Sequence, residues 1–236
     1  ISGLLSKSKG WNLDINGLVP LGILVKNIDI MESIQGNVSL SSQVRGEIFN
    51  PEIFGQAKID DVSFNLTVGD IILGADSIKG GINFSGNKIE IENIQGELAD
   101  GTFILRGQAE SIFSKDDRLI NLYLDGRNMK VEPVDGLFID LSSSLALGIQ
   151  RGIPVLLRGN VEIEEAVYEN AVNLETLVKA VSDYIKNGLW ARSKALSAER
   201  LSGVMADIHV ASKGGMLLDT NVLQAEFLGD LHIQSD

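Results

Sequence analysis

A chain of 236 residues can bury a sizeable core, and its lack of cysteine excludes a disulfide scaffold and thiolate zinc sites. A net charge of −12, with no basic stripe interleaved with aromatics, argues against nucleic acid as a partner. No apolar run approaches the ~18 residues that a membrane-spanning helix requires. The first residue is Ile1 rather than Met, so the expectation is a segment cut from a longer chain, in which missing targeting signals carry no information. Twenty-five glycines against four prolines, with Ile, Leu and Val dominant, suit many strands broken by glycine turns.

Period-two alternation begins at once. Trp11, Leu13 and Ile15 face one way, with Asn12, Asp14 and Asn16 opposite. Val62, Phe64, Leu66 and Val68 alternate with Ser63, Asn65 and Thr67, and Ile89 and Ile91 oppose Lys88, Glu90 and Glu92. Further on, Phe103 and Leu105, then Ile120, Leu122 and Leu124, keep the same rhythm. Leu141, Ser143, Leu145, Leu147 and Ile149 follow, then Leu157, Gly159, Val161 and Ile163. The pattern predicts roughly 15 strands at the eight-to-twelve-residue spacing of all-β architectures. At ~4.8 Å per strand they would form a rod of ~70 Å. A glycine–polar–aliphatic phrase recurs at Gly36, Gly46, Gly55, Gly96, Gly107 and Gly159, and reads as a degenerate repeat that opens strands after turns.

One segment departs from this rhythm. From Asn173, Leu174, Leu177, Val178, Val181 and Ile185 fall at helical spacing, with Asn173 as N-cap and Gly188 as stop. The residues after it are locally basic through Arg192, Lys194 and Arg200, which reads as a solvated face or as a contact for an acidic surface. Strands resume at Val204, and the final stretch alternates as one strand: Leu223, Ala225, Phe227, Gly229, Leu231 and Ile233 on the apolar side. The organisation is one β domain, 1–172 and 204–236, carrying a helical insertion at 173–203.

Catalytic constellations are missing from the sequence. His209 and His232 sit on polar strand faces with no second ligand at metal spacing. Asp60–Asp61, Asp116–Asp117 and Glu164–Glu165 are adjacent, so in a regular strand each pair points to opposite faces and cannot act as acid and base. They read as turn or edge residues. There is no nucleophile elbow, phosphate loop or calcium loop. The expectation is a non-enzymatic protein without metal or cofactor. Three architectures remain open to such an array: a filled two-sheet sandwich, a parallel β-helix, and a folded-over sheet with an open groove.

Four phrases resemble the TamB family of the AsmA-like group: residues 44–66, 96–110, 157–169 and 215–234. In the last of these, Asn221, Leu223, Ala225, Glu226, Gly229, Asp230 and Leu231 match a recurring family phrase. The order of the phrases follows the family from about Gly36 onward, while the basic helical segment matches no pattern in it. The family's usual carboxy-terminal end does not follow, so the resemblance implies an internal portion of the C-terminal region.

The resemblance implies a β-taco: an elongated sheet folded lengthwise, polar outside and apolar on its concave face. It implies the periplasmic part of an inner-membrane-anchored envelope protein, an Omp85-family barrel (TamA or BamA) as partner, and phospholipid movement to the outer membrane. The groove would then be lined by Leu13, Ile15, Phe64, Leu66, Ile89, Ile91, Phe103, Leu105, Leu122, Leu124, Leu145, Leu147, Val161, Ile163, Leu223, Phe227, Leu231 and Ile233. Physics agrees with such a lining: at roughly 0.8 kcal/mol per buried CH₂, a palmitoyl tail would be held by ~10 kcal/mol, yet could slide between equivalent aliphatic contacts. Two other functions compete, a scaffold that pairs an edge strand with an outer-membrane barrel protein, and the passenger β-helix of an adhesin.

Overall fold

The computed structural model describes residues 2–6, 10–23, 31–68, 71–114, 117–134, 136–168, 204–219 and 224–234. Among them, fourteen strands form one open sheet and the protein is all-β. In chain order these are β1 (Ser2–Ser6), β2 (Gly10–Pro20), β3 (Met31–Glu47), β4 (Asn50–Val68), β5 (Ile71–Gly86), β6 (Lys88–Leu98) and β7 (Gly101–Glu110). They continue as β8 (Leu119–Val134), β9 (Leu137–Gln150), β10 (Val155–Tyr168), β11 (Val204–Ser212), β12 (Met216–Asp219), β13 (Gln224–Phe227) and β14 (Asp230–Gln234). A 3-10 turn, Leu21–Ile23, follows β2. The helix expected from Asn173 lies outside the described residues.

From β1 to β10 each strand pairs antiparallel with the next, the topology that short glycine- and asparagine-containing turns permit. The order then changes. β10 pairs in parallel with β11 along Val155–Ile163 and with β12 along Ala166–Tyr168. A parallel neighbour cannot be reached by a hairpin and needs a long crossover, here 169–203. The last strand expected from sequence is divided at Leu228–Gly229: β13 returns along β12, and β14 along β11. Twelve strands lie on the main path. Their eleven steps of ~4.8 Å give ~53 Å rather than ~70 Å.

Register aligns the apolar positions of successive strands into rows. One row runs Val19, Val38, Ile59, Gly80, Ile94, Leu105, Leu124, Leu145, Gly159, Ile208, Ile233, each the direct partner of the one before. Such a row survives long strands only if the face is conserved along each of them, and bulges achieve this. In β4 the apolar set changes from Ile53, Ala57 and Ile59 to Val62 and Phe64, with the register shift falling between Ile59 and Val62. Equivalent shifts occur between Gly126 and Met129 in β8 and between Ile163 and Glu165 in β10. Each inserts one extra residue, without which everything beyond it would turn to the other face.

These bulges correct the reading of the paired acids. Asp60 and Asp61 are neither turn nor edge residues: they sit mid-strand in β4, both exposed, with Asp61 at φ 58°. Glu164, the extra residue of β10, precedes Glu165 at a bulge of the same kind. Asp116 lies outside the described residues.

The glycine phrase is also corrected. Gly36, Gly55, Gly96, Gly107 and Gly159 lie inside strands, not at turns. At Gly55 and Gly159 the backbone adopts φ +134° and +148°, and a Cβ would come within 2.2 Å of the Ser41 carbonyl oxygen and 2.0 Å of the Ser144 carbonyl oxygen. No other residue fits where neighbouring backbones approach this closely.

A small core sits at the centre of the sheet. Val62, Ala75, Ile78, Ile94 and Phe103 are buried against one another, with Phe64, Leu105 and Leu124 packed around them. All belong to one face of a single sheet, so the strands must twist and coil enough for that face to bury its own side chains. The short β6–β7 hairpin assists. Its turn residues Ala99 and Asp100 have φ 50° and 60°, the mirror-image geometry that suits twisted hairpins. The Ala99 N–H donates to the Gly74 carbonyl (3.0 Å) and the Ala99 carbonyl accepts from the Lys130 N–H (2.6 Å). This ties β5 to β8 across the turn.

Candidate functional site

The two faces of the sheet differ in chemistry, and each carries a feature of interest. On the apolar face, direct pairing or i,i+2 spacing places seventeen of the eighteen expected lining residues on one side; Leu223 lies outside the described residues, and Leu66 and Phe227 are placed by register alone. Leu13, Ile15, Phe64, Ile89, Ile91, Leu105, Leu122, Leu124, Leu145, Leu147, Val161 and Ile163 are half-buried. Leu231 and Ile233 are 58% and 43% exposed, because β14 has no further strand beside it among the described residues. Phe103 differs from the rest. At 6% exposure it belongs to the central cluster and serves packing.

Two serines interrupt the apolar rows. Ser42 is buried between Ile15 and Gly55, its cross-strand partners. Ser143, between Gly126 and Val161, has a buried hydroxyl with no hydrogen-bond partner. The Met129 thioether lies over Gly126 beside it, close enough that a Cβ at Gly126 would meet it at 2.5 Å.

The polar face is laced by hydrogen bonds between exposed side chains. Gln43 Nε2 donates to Asp14 Oδ1 at 2.7 Å, Ser41 Oγ to Asn16 Oδ1 at 2.9 Å and Ser144 Oγ to Asp125 Oδ1 at 2.7 Å. At β11 and β14 the two histidines, remote in sequence spacing, are directly opposed. His209 Nε2 lies 2.7 Å from Asp230 Oδ1 and His232 Nε2 lies 2.8 Å from Asp207 Oδ1, with the rings edge to face and 6.5 Å apart. Among the described residues no group of three or more His, Asp and Glu side chains could hold a metal ion.

Lys213, at the break between β11 and β12, joins Glu162 of β10 at 2.5 Å. Its ammonium is pushed above its usual value by the hydrogen bond to Glu162, opposed by desolvation and helped by the charges of Glu162 and Glu164. The Lys213 N–H also donates to the Ile163 carbonyl, 2.9 Å away. Backbone and side chain together fasten the parallel strand to the meander.

Sequence reasoning missed the cavity of this face. A trough of about 990 Å³ crosses β7 to β11 where β8 and β10 bulge and β11 ends. Only assembly of five strands creates it, and adjacent polar residues such as Arg127–Asn128 were the one local signal. No family model, curated protein or solved structure matches this chain.

Proposed function

We propose that the apolar face is the concave side of a β-taco and carries phospholipid acyl chains between the inner and outer membranes. On this reading the chain is the periplasmic part of an inner-membrane-anchored envelope protein of TamB type. It works without catalysis or cofactor. The observation that carries the reading is the set of in-register aliphatic rows whose side chains are half-buried rather than buried, with no second layer over them among the described residues. Apolar side chains left this accessible in an ordered row are surface that gains free energy when covered by hydrocarbon. Uniform rows of Leu, Ile and Val offer an acyl chain nearly the same contacts at each step, so holding it and letting it slide are compatible.

Phospholipid bound to chain produced in a bacterial envelope and purified without detergent tests this, by extraction and mass spectrometry. Near-stoichiometric lipid is expected, and a lipid-free, folded protein would overturn the reading. Leu145→Asp is the informative variant, because Leu145 lies in the row but outside the central cluster. It should lose bound lipid while keeping its circular dichroism and melting transition; unfolding would instead make Leu145 a core residue. Ile91→Asp discriminates less, since Ile91 packs on the cluster.

A second reading is favoured by β14. Among the described residues it pairs on one side only, with β11, and presents Leu231 and Ile233 at the sheet edge. Such an edge could accept a strand of an Omp85-family barrel, TamA or BamA. Crosslinks from β14 to that barrel in protein that carries no lipid would favour this reading over transport.

A further inference from the structure

We propose that the trough on the polar face is a binding site for a neutral oligosaccharide, separate from the apolar face and independent of its function. Three structural breaks coincide there. β8 bulges at Arg127–Asn128, β10 at Glu164, and β11 gives way to β12 at Lys213. A bulge directs consecutive side chains to one side, so this patch holds more polar groups than regular alternation allows.

The charge balance selects the ligand. Arg106, Arg127 and Lys213 face Asp125, Glu162 and Glu164, three cations against three anions, in a chain of net charge −12. A trough without net charge has no purchase on polyanions or polycations, so recognition falls to hydrogen bonds. Those are available. Among the described residues, Thr102, Arg127 and Asn160 line the trough, are exposed, and have no partner for their side chains. Arg106 and Asp125 meet only at 3.9 Å, with roughly half of each side chain exposed (54% and 44%), so the Arg106 guanidinium is loosely held, while Asp125 Oδ1 already accepts from Ser144 Oγ. Amide, guanidinium, carboxylate and hydroxyl groups together present both donors and acceptors, which is what a polyhydroxylated ring needs.

The arrangement is also linear. Asp125, Ser144, Asn160 and His209 are direct cross-strand partners, so polar groups recur at ~4.8 Å over ~14 Å, the span of two or three sugar rings. An adjoining cleft shares Arg106, Asp125 and Ser144 and is bounded by Tyr123. That ring is 53% exposed between Arg106 and Arg158 and offers an apolar plate for a sugar face.

The test is calorimetric titration of the purified chain with cellotetraose, maltotetraose and chitotetraose. At least one should bind with a Kd of about 0.1–1 mM, unchanged when NaCl rises tenfold. Asn160→Ala and Tyr123→Ala should each weaken that binding about tenfold, with unaltered circular dichroism, while Leu147→Ala, on the opposite face and outside both clefts, leaves it unchanged. Thr102→Ala supplies a second trough variant should either of the first two fold poorly. Absence of binding to all three sugars, binding abolished by salt as for a charged peptide, or binding indifferent to the trough variants would overturn the assignment.

Discussion

Ser143 shows how far a single residue can be read. Its alternation with Leu141 and Leu145 is plain in the sequence, and register confirms it on the apolar face. Only packing reveals that its hydroxyl is buried without a partner. A hydroxyl that loses water on folding and gains no hydrogen bond costs about 1–3 kcal/mol. Ser143→Ala should therefore raise stability by about 1 kcal/mol, read as a higher urea midpoint with unchanged slope. Gly55 and Gly159 teach the converse. Their recurrence suggested turns, yet the cause is the backbone of the neighbouring strand, 2.2 and 2.0 Å from where a Cβ would stand. The phrase was legible as a repeat. Its meaning was not, because it depends on a strand far away in sequence.

At the scale of elements, the bulges decide whether the sheet has two distinct faces. In β4, even-numbered Val62 and Phe64 join odd-numbered Ala57 and Ile59 because Asp61 is an extra residue held at φ 58°. A left-handed aspartate costs about 1–2 kcal/mol, a strain offset by keeping the rest of the strand in register. Deleting Asp61 should turn Val62, of 3% exposure, and Phe64 to the polar side and abolish cooperative unfolding. Asp61→Gly keeps the bulge and should fold with near-wild-type stability. Thermal melts of the two variants separate a register device from a mere loop. The parallel attachment of β11 to β10 is the other decision of this scale. Alternation marks strands but is silent on their direction, so a hairpin and a crossover look alike until pairing is seen.

For the whole molecule, the consequence of one sheet without a second layer among the described residues is uneven burial. Only eight hydrophobic residues among those described are buried, and five of them form the central cluster. Stability should be concentrated there. Ile78→Ala, at 3% exposure, is expected to cost about 2–5 kcal/mol, whereas Leu145→Ala, half-buried and outside the cluster, should cost markedly less. Chemical denaturation of both variants measures the contrast, and equal losses would mean that the face is a packed core throughout. That would remove the accessible aliphatic surface on which acyl-chain binding rests.

By itself the sequence determined the strand-rich class and, within each regular run, which residues alternate together, because period-two alternation is a property of the local pleat. It also specified the polar composition that later appears in the trough. Tertiary structure alone decided which strands are neighbours, where the bulges fall, which of the apolar residues form the buried centre, and that Arg106, Asn160 and Lys213 share one cavity. Those are relations between residues tens of positions apart. They are set by cross-strand hydrogen bonding and backbone crowding, for which a linear pattern carries no signal.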